Sequence, residues 1–263
     1  MHATDIGWGQ LAFGFLTLAL PIAVLAYYNT GLVKATIISF LRMALQLGFV
    51  GFYLKFIFQL NSPIVNFAWV AFMAIAASNV IARRSELRQR AFLLPIAGAI
   101  AINLAFNSIV FYFLMYGYAD FFDARYVIPI LGMIIGNNLS SCVVGVRSFY
   151  QNLKQNEENY RFQALSGATK SEALFGLVSK ALKDSVAPSV ASTATIGLIW
   201  LPGMMTGQIL GGSDPLTAIK YQILIMVAVF VGNVLTVFSS LKFTKNIAFD
   251  EFDAFKTDIF VGK

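Results

Sequence analysis

The sequence predicts an all-α polytopic membrane protein with about seven transmembrane helices, the N-terminus outside and the C-terminus inside. Three observations predict it. Of 263 residues, 58% are hydrophobic and only 12% are charged, whereas soluble domains carry about a quarter charged. Seven apolar runs recur, each close to the roughly 20 residues a helix needs to cross about 30 Å of hydrocarbon. Basic residues crowd the ends of alternate runs, the asymmetry that sets membrane orientation. A soluble enzyme of this length would need more polar surface than the chain supplies. The whole chain, 1–263, reads as one transmembrane domain.

The N-terminus "MHATDIGWGQ" lacks a basic region, so the first apolar run is expected to be retained as a span and not cleaved as a signal peptide. The spans are placed at Gln10–Tyr28, Ala35–Phe58, Ile64–Ile81, Phe92–Tyr116, Val127–Phe149, Ser185–Trp200 and Ala218–Phe243. Lipid offers no partner to an open backbone N–H, so each must be helical. Span two carries Arg42 and Gln46; Arg42 either snorkels to the inner headgroups or is paired in the interior. Span six is short and begins near Pro188, which leaves six spans with a re-entrant sixth region as the alternative. With the N-terminus outside, every one of the 19 basic residues except Lys55, Arg125 and Lys220 falls at an inner end. The net charge of +6 is therefore explained by topology, and no nucleic-acid partner is expected. The lone cysteine, Cys142, excludes an internal disulfide.

The longest polar interval, 149–184, lies between spans five and six. Tyr150, Leu153, Glu157 and Tyr160 keep helical spacing, so span five is expected to continue out of the membrane. "SGAT" interrupts it. Thr169 and Glu172 have capping-box spacing, and Leu174, Leu177, Val178, Ala181 and Leu182 then line one face of a second helix. Gly167 suits a turn position of positive φ. From this pattern alone the helical pair is either an interfacial anchor or a coupling element that a cytosolic partner grips. The Phe- and Asp-rich tail "FDEFDAFKTDIFVGK" reads as a frayed or lightly packed end.

Chemistry-bearing residues are few. No GxxxxGK[ST] loop is present, so any ATP hydrolysis belongs to another subunit. His2 is the only histidine and sits near the chain end. Gly132 and Gly136 form a small-xxx-small pair that permits close helix contact. Asn137 and Asn138 follow within the apolar run, as interhelical glue or as pathway lining. In "LPGMMTGQILGG", Pro202, Gly203, Gly207, Gly211 and Gly212 predict a bent or re-entrant segment, a candidate outer gate. Met133, Met204 and Met205 supply soft sulfur, for packing or for transient metal contact, and suit Cu(I) better than iron. No carboxylate cluster lies within a span, so a metal ion would meet carbonyls, amides and water, with Asp184 or Asp214 near the ends.

Four stretches make the reading specific: "VIPILGMIIGNNLS" (Val127–Ser140), "LSGATKSEAL" (Leu165–Leu174), "GLIWLPGMMTGQILGG" (Gly197–Gly212) and "DPLTAIKYQ" (Asp214–Gln222). Through them the chain resembles the UPF0014 family of ABC-transporter permeases over nearly its full length. The resemblance implies a permease subunit of the cell membrane, in bacteria the inner membrane, that exports a metal ion, iron first. It implies a cytosolic ABC ATPase subunit as partner and a second permease copy. The chain itself would bind no cofactor, with ATP and Mg held by the ATPase. The coupling element would be Leu165, Gly167, Ala168, Thr169, Glu172 and Ala173. The pathway or gate would be drawn from Asn137, Asn138, Pro202, Gly203, Met204, Met205, Gly207 and Asp214. Bacterial members can carry Asp or Lys in the segment before Gly197, whereas "ASTATIG" (Ala191–Gly197) is uncharged here. The alternatives are export of another metal or of a small organic solute, a non-transporting scaffold that recruits a cytosolic partner, and an ion-driven carrier. The last often shows inverted repeats, and none is evident in the sequence.

Overall fold

The computed structural model describes residues 6–114, 123–250, 253–256 and 259–260, and these are almost entirely helical. In chain order the helices are α1 (Trp8–Leu16), α2 (Ala19–Tyr27), α3 (Val33–Leu60), α4 (Pro63–Arg84) and α5 (Gln89–Leu114). They continue as α6 (Ala124–Gln155), α7 (Glu157–Leu165), α8 (Lys170–Thr193), α9 (Gly203–Leu210) and α10 (Pro215–Thr244), and a short 3₁₀ turn follows at Lys245–Ala248. His2, and the end of the predicted fourth span at Tyr116, lie outside the described residues.

Six segments among the described residues are long and apolar enough to cross a membrane: Trp8–Tyr27, α3, α4, α5, α6 and Pro215–Ala248. The protein is a multi-pass membrane protein. The first segment bends at Thr17, whose hydroxyl donates to the Gly14 carbonyl at 2.7 Å. α4, α5, α6, α8 and α10 form the packed bundle, with α10 against α5, α6 and α8 and α6 against α4 and α8. The helices before α4 form an outer layer. In α3 only Ile57 is buried, and α1 and α2 bury nothing.

The predicted sixth span, Ser185–Trp200, is corrected. α8 runs unbroken from Lys170 through Pro188 to Thr193, so the amphipathic loop helix and the start of that span are one helix. It is not among the apolar spans because every stretch of it long enough to cross contains Lys180, Lys183 and Asp184. Side-chain contacts fix its direction, antiparallel to α6. Lys180 Nζ donates to Asn152 Oδ1 at 2.7 Å and the Ser148 hydroxyl donates to Asp184 Oδ2 at 2.7 Å. The chain then bends through 194–202 and resumes as α9, which packs on α10. The 24-residue α8 and the 8-residue α9 thus carry the chain from the α7 end of the bundle back to the start of α10. The interval expected to be irregular is also shifted. Gly203–Leu210 is helical, and the irregular backbone precedes it, with Gly197 at φ +84° and its N–H donating to the Trp200 carbonyl at 3.0 Å.

The two ends of the bundle are tied differently. At one, Asn61 takes a left-handed φ of 37°, donates to Asp123 Oδ2 at 3.2 Å and accepts from the Ala124 N–H at 2.9 Å. This joins the end of α3 to the start of α6. At the other, the described residues of the tail pack against the bundle. Phe249, Phe255 and Phe260 form a chain of ring contacts that begins on Tyr160. The Lys170 ammonium sits 4.1 Å from the Phe249 ring centroid and 2.6 Å from Asp253 Oδ1. The Arg88 N–H donates to the Ile259 carbonyl at 2.8 Å. Cation–π contacts and buried rings outweigh the polarity of the intervening acids, which the residue pattern alone did not anticipate. Burial, and then the Asp253 charge, raise the Tyr160 pKa above the usual phenol range.

The glycines that set helix approach are not the expected pair. A Cβ at Gly136 would meet nothing within 4 Å, and at Gly132 it would make ordinary contact with Met73 at 3.6 Å. A Cβ at Gly145 would lie 2.6 Å from Val237 Cγ1 and 3.2 Å from Ser185 Cβ, where α6, α8 and α10 meet. Gly145→Ala is therefore expected to destabilise the protein by about 1–3 kcal/mol through overpacking. Gly136→Ala should be neutral or slightly stabilising. Thermal melting of the two variants in detergent checks the difference.

Candidate functional site

Two features carry functional geometry, a tight knuckle between α7 and α8 and a polar cavity at the far end of α8.

At the knuckle, α7 ends in a Schellman motif. The Gly167 N–H donates to the Ala164 carbonyl and the Ala168 N–H to the Gln163 carbonyl, both at 3.1 Å. Gly167 holds φ +93°, which a side chain resists. Two residues on, Thr169 caps α8. The Thr169 N–H donates to Glu172 Oε2 at 2.7 Å, while the Glu172 N–H donates to Thr169 Oγ1 at 3.3 Å. The capping box read from the sequence is thus present, and it leaves the turn little freedom. Leu165, Phe162 and Phe175 are exposed around it, Leu165 at 89%, while Ala173 is buried. Of the six predicted coupling residues, five form the tip or its cap, and Ala173 anchors the tip to the bundle.

The cavity, about 310 Å³, lies among α6, α8, the 194–202 bend, α9 and α10. Asn137, Pro202, Gly203 and Met204 of the predicted pathway set line it, together with Met133. The other predicted residues lie elsewhere. Asn138 is buried against Asn103 at Gly232, away from the lining. Met205 is buried off the cavity, and the Gly207 carbonyl accepts the Gly211 N–H at 2.9 Å to close α9. Asp214 caps α10, accepting from the Thr217 N–H at 3.0 Å. Among the described residues no three His, Cys, Asp or Glu side chains gather as a metal-binding group.

Sequence reasoning missed the opposite wall. Gln222, Met226, Val229 and Asn233 face the cavity from α10, and Ser189, Ser192 and Thr193 face it from α8. The signal was available, since spacings of three and four put each set on one helix face. Gln222 and Asn233 were polar residues inside an apolar run. The Asn233 amide donates to Ser189 Oγ at 2.9 Å and joins the two walls.

The cap carries a pH dependence. The Thr169 side chain, and then its backbone N–H, hold the Glu172 carboxyl below the usual carboxylate range. A depressed folded value means the cap contributes fully above the ordinary value of about 4.3 and is lost as pH falls through the lower one. Amide exchange in the first turn of α8 should therefore quicken on acidification below that value. In Glu172→Gln it should lose this pH dependence once the intrinsic exchange rate is corrected for.

The family model "Uncharacterised protein family (UPF0014)" matches residues 8–249. The chain is 33% identical to "Probable iron export permease protein FetB" of Escherichia coli (strain K12), over 86% of this chain and 85% of that one. It is 35% identical to "Protein ALUMINUM SENSITIVE 3" of Arabidopsis thaliana, over 80% and 76%. It is 32% identical to "UPF0014 membrane protein YjkA" of Bacillus subtilis (strain 168), over 80% and 82%. No solved structure matches. A match across nearly the whole bundle, knuckle and cavity included, establishes that this chain belongs to the UPF0014 family of membrane proteins.

Proposed function

We propose that the protein is the permease subunit of an ABC transporter that exports a metal ion, iron being the first choice. The observation that carries this is α8 itself. One uninterrupted helix of 24 residues, about 36 Å long at 1.5 Å per residue, joins the knuckle at its N-terminus to the cavity wall at its C-terminus. A push on the knuckle therefore reaches Ser189, Ser192 and Thr193 without a flexible link.

In this reading the end that holds the knuckle, the tail and the α4–α5 connection is cytoplasmic. The basic residues Arg83, Arg84, Arg147 and Lys154 at that end support it. α8 and α9 together make the seventh crossing, broken at 194–202, where irregular backbone is tolerated because it lines a cavity. A cytosolic ATPase seats the exposed Leu165, Phe162 and Phe175 in a groove and holds ATP and Mg²⁺ itself. Nucleotide closure draws the knuckle, α8 tilts against α6 and α10, and the cavity changes the side to which it opens. The apolar surfaces that α1–α3 leave uncovered serve lipid and a second permease copy. Iron is preferred because that is the cargo in the name of the Escherichia coli relative.

The test is transport by the permease in proteoliposomes, with and without its ATPase and ATP, across several metals. Export that requires both is expected. Passage by the permease alone, unchanged by ATP, would overturn the reading. Gly167→Val places a β-branched residue at a left-handed φ, a strain of about 1–2 kcal/mol, and should leave ATP hydrolysis running with cargo movement at least tenfold lower. Leu165→Asp should weaken ATPase binding in a pull-down at least tenfold. Normal coupling in both variants would remove the knuckle from the mechanism.

A further inference from the structure

The bend at 194–202 lies at membrane depth. α10 carries no charge between Lys220 and Lys242, a rise of about 33 Å at 1.5 Å per residue that matches the roughly 30 Å of hydrocarbon. An apolar groove runs beside the bend, between the end of α8 and α10. Ile196 shares this groove with Met226 and Phe230 of α10, and Trp200 shares the cavity with the same two residues. Met226 and Phe230 follow Lys220 by six and ten positions, about 9 and 15 Å into the hydrocarbon. Yet the backbone of the bend is not helical. The Leu201 N–H makes no hydrogen bond among the described residues, and Pro202 gives the first turn of α9 no side-chain cap.

The bend has two faces. Trp200, Pro202 and Gly203 line the cavity. Leu198 and Ile199 line neither the cavity nor the groove, and are 88% and 78% exposed. Irregular backbone at this depth is tolerated only where protein buries it or where it lines a water-filled cavity. Water suits the cavity face, but not two bare aliphatic side chains. Lipid suits the side chains, but not the open backbone. A protein surface suits both. The adjoining groove, about 640 Å³, is lined by Val190, Ala194, Ile223 and Val227 among others, and no lining residue is charged. Thr193, Gln222, Met226 and Phe230 line both groove and cavity, so the groove is the open flank of the cavity.

A protruding apolar tip beside an apolar groove makes a self-complementary surface, because a two-fold axis brings each half to its counterpart on the other copy. We infer that a second copy of this chain docks here, the Leu198–Ile199 tip of each copy seated in the α8–α10 groove of the other, and that the cavity of each is closed on this flank only by its partner. The inference rests on the permease reading above for the presence of a second copy. It places that copy on the α8–α9 side and leaves α3, a regular helix, to lipid. Val190 and Thr193, at the end of α8, line the groove. A push along α8 therefore reaches the interface as well as the cavity wall.

The experiment uses the full-length chain in its membrane. Cys142, the lone cysteine, is buried, so introduced cysteines report alone. Ile199→Cys and Val227→Cys, on two differently tagged copies expressed together, should be joined by a short bis-maleimide into an adduct of twice the chain's mass. Phe52→Cys, on the exposed side of α3, should give no such adduct. Absence of the Ile199–Val227 adduct would overturn the interface, whether α3 cross-links in its place, a lipid-phase maleimide labels Ile199→Cys instead, or the adduct contains a different protein. Leu198→Asn with Ile199→Asn should lower self-association at least tenfold, read by single-molecule photobleaching in vesicles. Its thermal melting should stay unchanged, because neither side chain is packed within its own copy. Wild-type association in that variant would overturn the interface, and the cross-link decides alone if the variant fails to fold. Cross-linking needs neither cargo nor ATPase. Metal export without the Ile199–Val227 adduct removes the interface and leaves the export reading intact. The adduct in a transporter that moves no metal upholds the interface and removes the export reading.

Discussion

The continuity of α8 is the constraint on which the other features depend. Its N-terminus is fixed by reciprocal bonds between Thr169 and Glu172, and its middle is held to α6 through Asp184–Ser148 and Lys180–Asn152. Its C-terminal half passes beneath Gly145, where only a glycine allows α6, α8 and α10 to approach so closely. A helix held in this way is positioned as one unit, because side chains at interior packing density repack in steps and do not flow. Pro188 removes one backbone hydrogen bond within it but does not end it.

The tail adds a second mechanical tie. Phe249 and Asp253 hold Lys170 and Tyr160 of the knuckle helices, while Ile259 and Phe260 reach the α4–α5 connection at Arg88 and Leu87. The knuckle is therefore fastened to two parts of the bundle, along α8 and across the tail. The Arg147–Glu86 pair, at 2.9 Å, bridges α6 to the same connection. Each side chain of that pair is about half exposed, so its contribution is small, about 0–1 kcal/mol. The aromatic chain of the tail carries more of the attachment.

The cavity shows the opposite economy. Most of the bundle interior hides its polar groups in local bonds, as Asn107 does by donating to Asn103 Oδ1 at 2.7 Å. The cavity wall leaves two amide oxygens unpaired beside a bend of irregular backbone. Unpaired polar atoms are not confined to the cavity, since both polar atoms of the Asn138 amide, at its contact with Asn103 and Gly232, also lack a partner.

Composition, run length and the distribution of basic residues sufficed for an all-helical membrane protein, because lipid leaves the backbone no alternative to helix. The Thr169–Glu172 box and the Gly167 turn were legible for the same kind of reason, since caps and left-handed turns are local chemistry. The break before Gly203 was anticipated in kind but misplaced, as Pro202 can begin a helix as readily as end one. What depends on distant packing was not legible. The fusion of the loop helix with the sixth span, the anchored tail, and the tight contact at Gly145 all arise from residues far apart in sequence. The wall made by Gln222 and Asn233 exists only because α8 reverses along α6 and brings Ser189 to α10. A residue's type restricts which bonds it is able to make, but the path of the chain decides which of them are left open.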